Sequence, residues 1–158
     1  GVRLVGSEMC IRDRTTTDYY RWRVELTQDE ALQLIEKRTE QKFGAILDLQ
    51  PVERGASGRL IKLRVVGTTN RMIVGKELEI RRLLSETHLY SSAFVVEKQD
   101  IDPTTGIPGK FILLGAGWGH GVGMCQIGAA VMASQGFDYK QILSHYYQNS
   151  YISSLTKE

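Results

Sequence analysis

The chain has 158 residues, 42% of them apolar, which is enough for one globular domain with its own core. Lys and Arg number 20 against 18 Asp and Glu, a formal net charge of +2, and the basic residues are scattered rather than blocked. That pattern lacks the footprint of a nucleic-acid binder, and no apolar run approaches the roughly 20 residues of a bilayer span, so neither nucleic acid nor a transmembrane segment is expected.

Residues 8–14, EMCIRDR, resemble the translation of a transposase adapter used in sequencing-library preparation, and residues 1–14 show no sustained period that would tie them to a core. The expected organisation is therefore an adapter artefact over residues 1–14 and the C-terminal portion of one domain over residues 15–158. Setting the first segment aside removes Cys10 and leaves Cys125 as a lone thiol, which gives no vote on redox compartment. No signal peptide is visible, and a chain truncated at its N-terminus would not display one.

Residues 18–26, DYYRWRVEL, alternate roughly in aromatic and branched residues and predict a strand. Thr27 and Glu30 form a T-x-x-E capping box, Leu26 can staple onto Ala31, and Ala31, Leu34 and Ile35 recur at helical spacing, so a helix is predicted over 28–39. Residues 45–53 and 60–66 read as a hairpin around GASG, with Ile61, Leu63 and Val65 inward and Lys62 and Arg64 on a wet face. A turn over 67–70 leads to a short strand at 72–74, and 77–84 predicts a short helix with its charges in water. Residues 93–97 and 110–114 predict a second strand pair across the loop DPTTGIPG. After a glycine-rich loop, a helix is predicted over 126–135, ended by Gly136, and another is capped by Asp138 and Gln141 with Ile142, Leu143 and Tyr146 on one face. The fold class is α+β: mostly antiparallel strands and hairpins, a capped helix near the start and two helices at the C-terminus.

In GAGWGHGVG every second residue from 115 to 123 is glycine, too costly in backbone entropy for an ordinary strand. Composition leaves two readings open, a tight strand-to-helix connection and a binding loop walled by Trp118 and His120. A phosphate cradle fails, because no window fits GxGxxG and no GK[ST] follows.

The longer string GWGHGVGMCQIGAAVMASQGFDYKQILSHYY closely resembles the signature that ends SpoIID/LytB domains, with Cys125 where that family usually carries serine. Upstream, YYRW, the SGR of residues 57–59, ELEIRRLLS and SSAF resemble the same family in order, so the resemblance covers about residues 18 to 152. It implies a cell-wall protein of the cell envelope, either a lytic transglycosylase acting on peptidoglycan glycan strands or an amidase enhancer whose partner is a cell-wall amidase. The family's catalytic Glu lies in an upstream helical stretch resembling EALKAQAVAARTY, which has no counterpart here. No catalytic residue is therefore expected in this chain, which should be inactive alone, and no cofactor; zinc belongs to the complete family domain. Within the signature the substrate-binding candidates are Trp118, Gly119, His120, Gly121, Gly123 and Gln126. Glu77, Glu79 and Glu86 match no catalytic position. His120 and Cys125 are too few ligands for zinc, so Cys125 is expected to be a small buried thiol.

Overall fold

The structure, a computed structural model, describes residues 21–153; the segment 1–14 and the expectation attached to it lie outside the described residues. Among the described residues, six antiparallel strands form two three-stranded sheets, accompanied by four helices. This is the α+β architecture expected from the sequence, with two helices near the C-terminus.

Strand β1 (Arg21–Thr27) runs straight into helix α1 (Gln28–Thr39), and the switch is set by the predicted capping box. Glu30 N–H donates to Thr27 Oγ1 at 3.2 Å and Thr27 N–H donates to Glu30 Oε2 at 2.8 Å, which satisfies two donors that the helix start would otherwise orphan. At the other end Glu40 closes the helix in the left-handed region, and the Glu36 carboxylate accepts from Lys42 at 2.6 Å and from Phe43 N–H at 2.9 Å. Those bonds, Lys42 first, hold the Glu36 carboxyl below its ordinary pKa and turn the chain toward the second sheet.

That sheet is β2 (Ile46–Arg54), β3 (Leu60–Gly67) and β4 (Arg71–Gly75), in that spatial order. Pro51 is tolerated because β2 is an edge strand. The hairpin departs from the predicted alternation at one point. Glu53 pairs with Lys62 but Arg54 pairs with Leu60, so Ile61 is a bulge residue with no partner. The bulge flips the phase: Leu60, Leu63 and Val65 are buried, whereas Ile61 turns outward at 39% exposure.

Helix α2 (Glu77–Leu83) also differs from expectation, since one of its charges is inside. Arg81 is buried, donating through Nε to the Leu89 carbonyl at 2.6 Å and pairing with Glu77 at 3.2 Å. A seven-residue helix beside two strands has no fully wet side for every charge, and a carboxylate and a carbonyl as acceptors offset much of the cost of burying the guanidinium.

The other sheet has the order β1, β6 (Pro108–Ala116), β5 (Phe94–Ile101), so β6 is its central strand. Phe111, Ile112 and Leu113 are buried in succession because strands flank β6 and α1 packs on it. The β5–β6 turn is organised by Asp102, whose Oδ1 accepts from the N–H groups of Thr104 and Thr105 at 2.7 and 2.8 Å. The two sheets share one core cluster, from Trp22, Leu26 and Ile35 through Leu49 and Leu63 to Phe94 and Leu113. Leu60 N–H donates to Ser92 O and Arg54 Nη2 to Phe94 O, so hydrogen bonds as well as packing join the sheets.

Helices α3 (Gln126–Ser134) and α4 (Tyr139–Tyr146) pack on each other. Asp138 and Gln141 form the predicted capping box of α4, and Gly136, in the left-handed region, turns the chain between the helices. The Tyr146 hydroxyl occupies the space that a side chain at Gly128 would fill. It meets no hydrogen-bond partner among the described residues, and burial pushes its pKa up.

Two substitutions test this account. Thr27→Ala removes the cap and is expected to cost about 1 kcal/mol in urea unfolding. A Cβ at Gly115 would fall inside the Trp22 indole, whereas one at Gly75 meets nothing. Gly115→Ala should therefore cost about 1–3 kcal/mol by overpacking, while Gly75→Ala stays within about 0.5 kcal/mol of the parent. Equal effects of the two glycine changes would contradict the packing described.

Candidate functional site

Strand β6 delivers the glycine loop from the middle of its sheet. Gly115 and Ala116 are still strand, paired with Trp22 and Arg21 on one side, and Gly115 with Phe94 on the other, so the alternation of glycine begins inside regular structure and not after it. The reason for glycine at 115 is steric: the Trp22 ring lies where a side chain would be. Trp22 in turn meets Tyr90 and Phe94 in tilted pairs, with centroids 5.9 and 6.1 Å apart.

Beyond the strand the reason changes. Gly117, Gly119, Gly121 and Gly123 have φ of 73°, 86°, 70° and 78°, a left-handed backbone at every second residue that other residues adopt only at a cost. The first half of this unusual path is held by side chains and backbone from three distant segments. Ser91 Oγ donates to Ala116 O at 2.7 Å, Trp22 Nε1 to Gly117 O at 3.2 Å, and Arg59 Nε to Gly119 O at 3.1 Å. Gly119 N–H donates to Tyr90 O at 2.8 Å. The Arg59 guanidinium also fills the space above Gly121, where a Cβ would collide with it. Burial lowers the Arg59 pKa, with Glu77 opposing and Arg81 adding to that shift.

The residues between the glycines are on view. Trp118 is 58% exposed, Val122 is 75% exposed and His120 is exposed as well. His120 Nδ1 accepts from Val122 N–H at 3.1 Å, so in the neutral ring the proton sits on Nε2. Gln126, the first residue of α3, is exposed too. Trp118, Gly119, His120, Gly121 and Gly123 thus share one tethered loop, and Gln126 begins the helix that it feeds. A depression of about 590 Å³ lies elsewhere, beside α4 and residues 150–153, and includes none of them.

Cys125 differs from the buried free thiol expected from sequence. It is half-buried, its sulfur is in a disulfide, and that sulfur accepts from Gly128 N–H at 3.4 Å as the N-cap of α3. A bonded sulfur is no thiolate ligand, and among the described residues no three His, Cys, Asp or Glu side chains gather, so these residues do not fit a zinc site. The glutamates that match no catalytic position in the sequence are ion-paired: Glu79 with Arg82 at 3.4 Å, Glu86 with Lys37 at 3.0 Å, and Glu77 with Arg81. His145 lies edge-on against Tyr146 with centroids 5.0 Å apart.

Arg59, Trp22, Tyr90 and Ser91 were not among the site residues expected from sequence. The signals present were the strings SGR, YYRW and SSAF, but the partnerships span 25 to 95 positions along the chain and no local pattern reveals them.

Comparison with known proteins adds relatives over parts of the chain. It is 34% identical over 76 residues to the amidase enhancer of Bacillus subtilis (strain 168) and 37% identical over 82 residues to the stage II sporulation protein D of Bacillus amyloliquefaciens. It is 45% identical over 69 residues to an uncharacterized protein of Brachyspira hyodysenteriae (strain ATCC 49526 / WA1). These alignments take in 48%, 52% and 44% of the chain but only 10%, 22% and 17% of those proteins, in the same order. The profile of one family covers residues 8–123, well over half of the sequence, and the chain belongs to that family, described as a domain of unknown function (DUF8618).

Proposed function

We propose that this chain forms one wall of the glycan groove in a peptidoglycan-acting domain, and that the complete protein is a lytic transglycosylase cleaving glycan strands in the cell envelope. The observation that carries this reading is the loop itself, a backbone tied down by Ser91, Trp22, Tyr90 and Arg59 from which Trp118 and His120 stand exposed. An indole held on a fixed backbone is a plate on which a sugar ring stacks, and the His120 Nε2 and Gln126 amide serve as hydrogen-bonding groups for sugar hydroxyls. The relatives named amidase enhancer and stage II sporulation protein D support a cell-wall role, and with it a place outside the cytoplasm.

Glycosidic cleavage by this route needs a carboxylic acid that protonates the leaving oxygen. The resulting carboxylate then takes the proton of the sugar's own hydroxyl, which closes an anhydro ring without water. Glu77, Glu79 and Glu86 are each paired with a cation, and none is assigned that work. The acid is assigned to a part of the complete protein outside this chain.

The relative named an amidase enhancer favours a second reading, in which the domain grips glycan or a cell-wall amidase and leaves cleavage to the partner. The two readings differ in the product. Under the first, the full-length protein generates anhydro-sugar ends from purified glycan strands with no amidase present. Under the second it generates none and raises amidase turnover.

Either way, the chain alone is expected to release no anhydro-muropeptides by mass spectrometry, because under this reading the acid and the facing wall of the groove lie outside this chain, and positioning supplies roughly 7–11 kcal/mol of the barrier at best. Release at the full-length rate would place the acid within this chain. His120→Ala, at an exposed position, should change stability by less than about 0.5 kcal/mol while weakening glycan binding about three- to tenfold, the loss of one neutral hydrogen bond. Unchanged binding would remove His120 from the groove.

A further inference from the structure

Arg59 is held against the glycine loop through one of its nitrogens only. Nε donates to Gly119 O, and the guanidinium is seated against Gly121, with Nη2 3.5 Å from the place of a Cβ at Gly117. Among the described residues, Nη1 and Nη2 of Arg59 donate to no acceptor, although the side chain is half-buried. The neighbouring charges do not neutralise it. Glu77 and Arg81 act on it electrostatically, but Glu77 is bonded to Arg81 at 3.2 Å, so two guanidinium groups share one carboxylate and a unit of positive charge is left over.

A cation withdrawn partly from water without a counter-ion is costly, and the cost is recovered when an anion arrives. The guanidinium fork matches the two oxygens of a carboxylate, and it sits beneath the loop that carries Trp118 and His120. Gly121 is part of the arrangement, because any side chain there would displace the guanidinium. Arg54, by comparison, is no candidate: its Nη1 and Nη2 are taken by the carbonyls of Gly58 and Phe94 at 2.8 and 2.7 Å.

We infer that Arg59 is an anion-binding residue of the groove, which receives a carboxylate of the bound glycan through its free Nη groups while Nε holds the loop. The inference rests on the glycan-binding reading and adds to it a required charge on the ligand, the lactyl carboxylate of a muramyl sugar or a carboxylate of the stem peptide.

The test is calorimetric binding of the chain to three preparations: glycan strands freed of stem peptide, the same strands with their carboxylates converted to neutral methylamides, and strands that keep their peptides. The parent chain should bind the carboxylate strands roughly tenfold to a hundredfold more tightly than the amidated ones, the worth of one charge-assisted pair of hydrogen bonds. Arg59→Gln should abolish that preference, weakening the carboxylate strands clearly more than the amidated ones, which lose only what the loosened loop costs, and Arg59→Lys should retain part of it. Arg59-dependent tight binding to the peptide-bearing strands alone would assign the carboxylate to the peptide instead of the sugar and still support the inference. If Arg59→Gln weakens all three preparations equally, or if the parent ignores amidation, Arg59 only holds the loop and the inference is overturned, while the glycan reading stands. If the folded parent binds none of the three, both fall together.

Discussion

The contact on which the arrangement depends is the Trp22 indole packed where a side chain at Gly115 would be. It joins an edge strand to the central strand at the point where the backbone leaves the sheet, and its ring N–H then reaches two residues further to the Gly117 carbonyl. One side chain thus closes the core and starts the loop. An edge strand that contributes only backbone hydrogen bonds would hold the sheet but leave the loop's direction free. The large, rigid ring fixes both, and glycine is the sole residue that leaves it room.

From that point the loop follows a path that few sequences permit. Left-handed backbone at alternate residues is unfavourable for anything but glycine, and even glycine loses entropy by being confined to it. The structure offsets this with four hydrogen bonds from segments far apart in sequence, contributed by Trp22, Arg59, Tyr90 and Ser91. The ordering cost of this path is thereby met at folding, which is what the glycan-wall reading proposed above requires of it.

How much of this the sequence disclosed depends on the range of the interaction. The capping boxes of Thr27 with Glu30 and Asp138 with Gln141 involve residues three apart, and both helix starts were legible. Apolar runs together with turn residues located the strands, yet alternation failed for Ile61, because a bulge is a property of two strands in register and not of either one. The burial of Arg81 was hidden for a similar reason: its acceptors include the carbonyl of Leu89, which only the chain path after α2 brings near. The GHG loop was conspicuous by composition, but Arg59, which braces it from 60 positions away, was visible only as part of a short string.

The pairing of α3 with α4 carries a kinetic meaning. Met132 and Ile142, the buried apolar residues of these helices, do not belong to the core cluster that joins the two sheets, which ends in sequence at Leu113. Among the described residues the helical pair therefore buries its own small apolar contact, set apart from that cluster by the left-handed glycines. Segments that bury little apolar surface open at lower free energy than a core, which makes the helical pair the first place to look for local opening. Amide exchange would then divide along the chain, slow through β6 and fast from Gln126 onward, with the glycine loop marking the border between the two regimes.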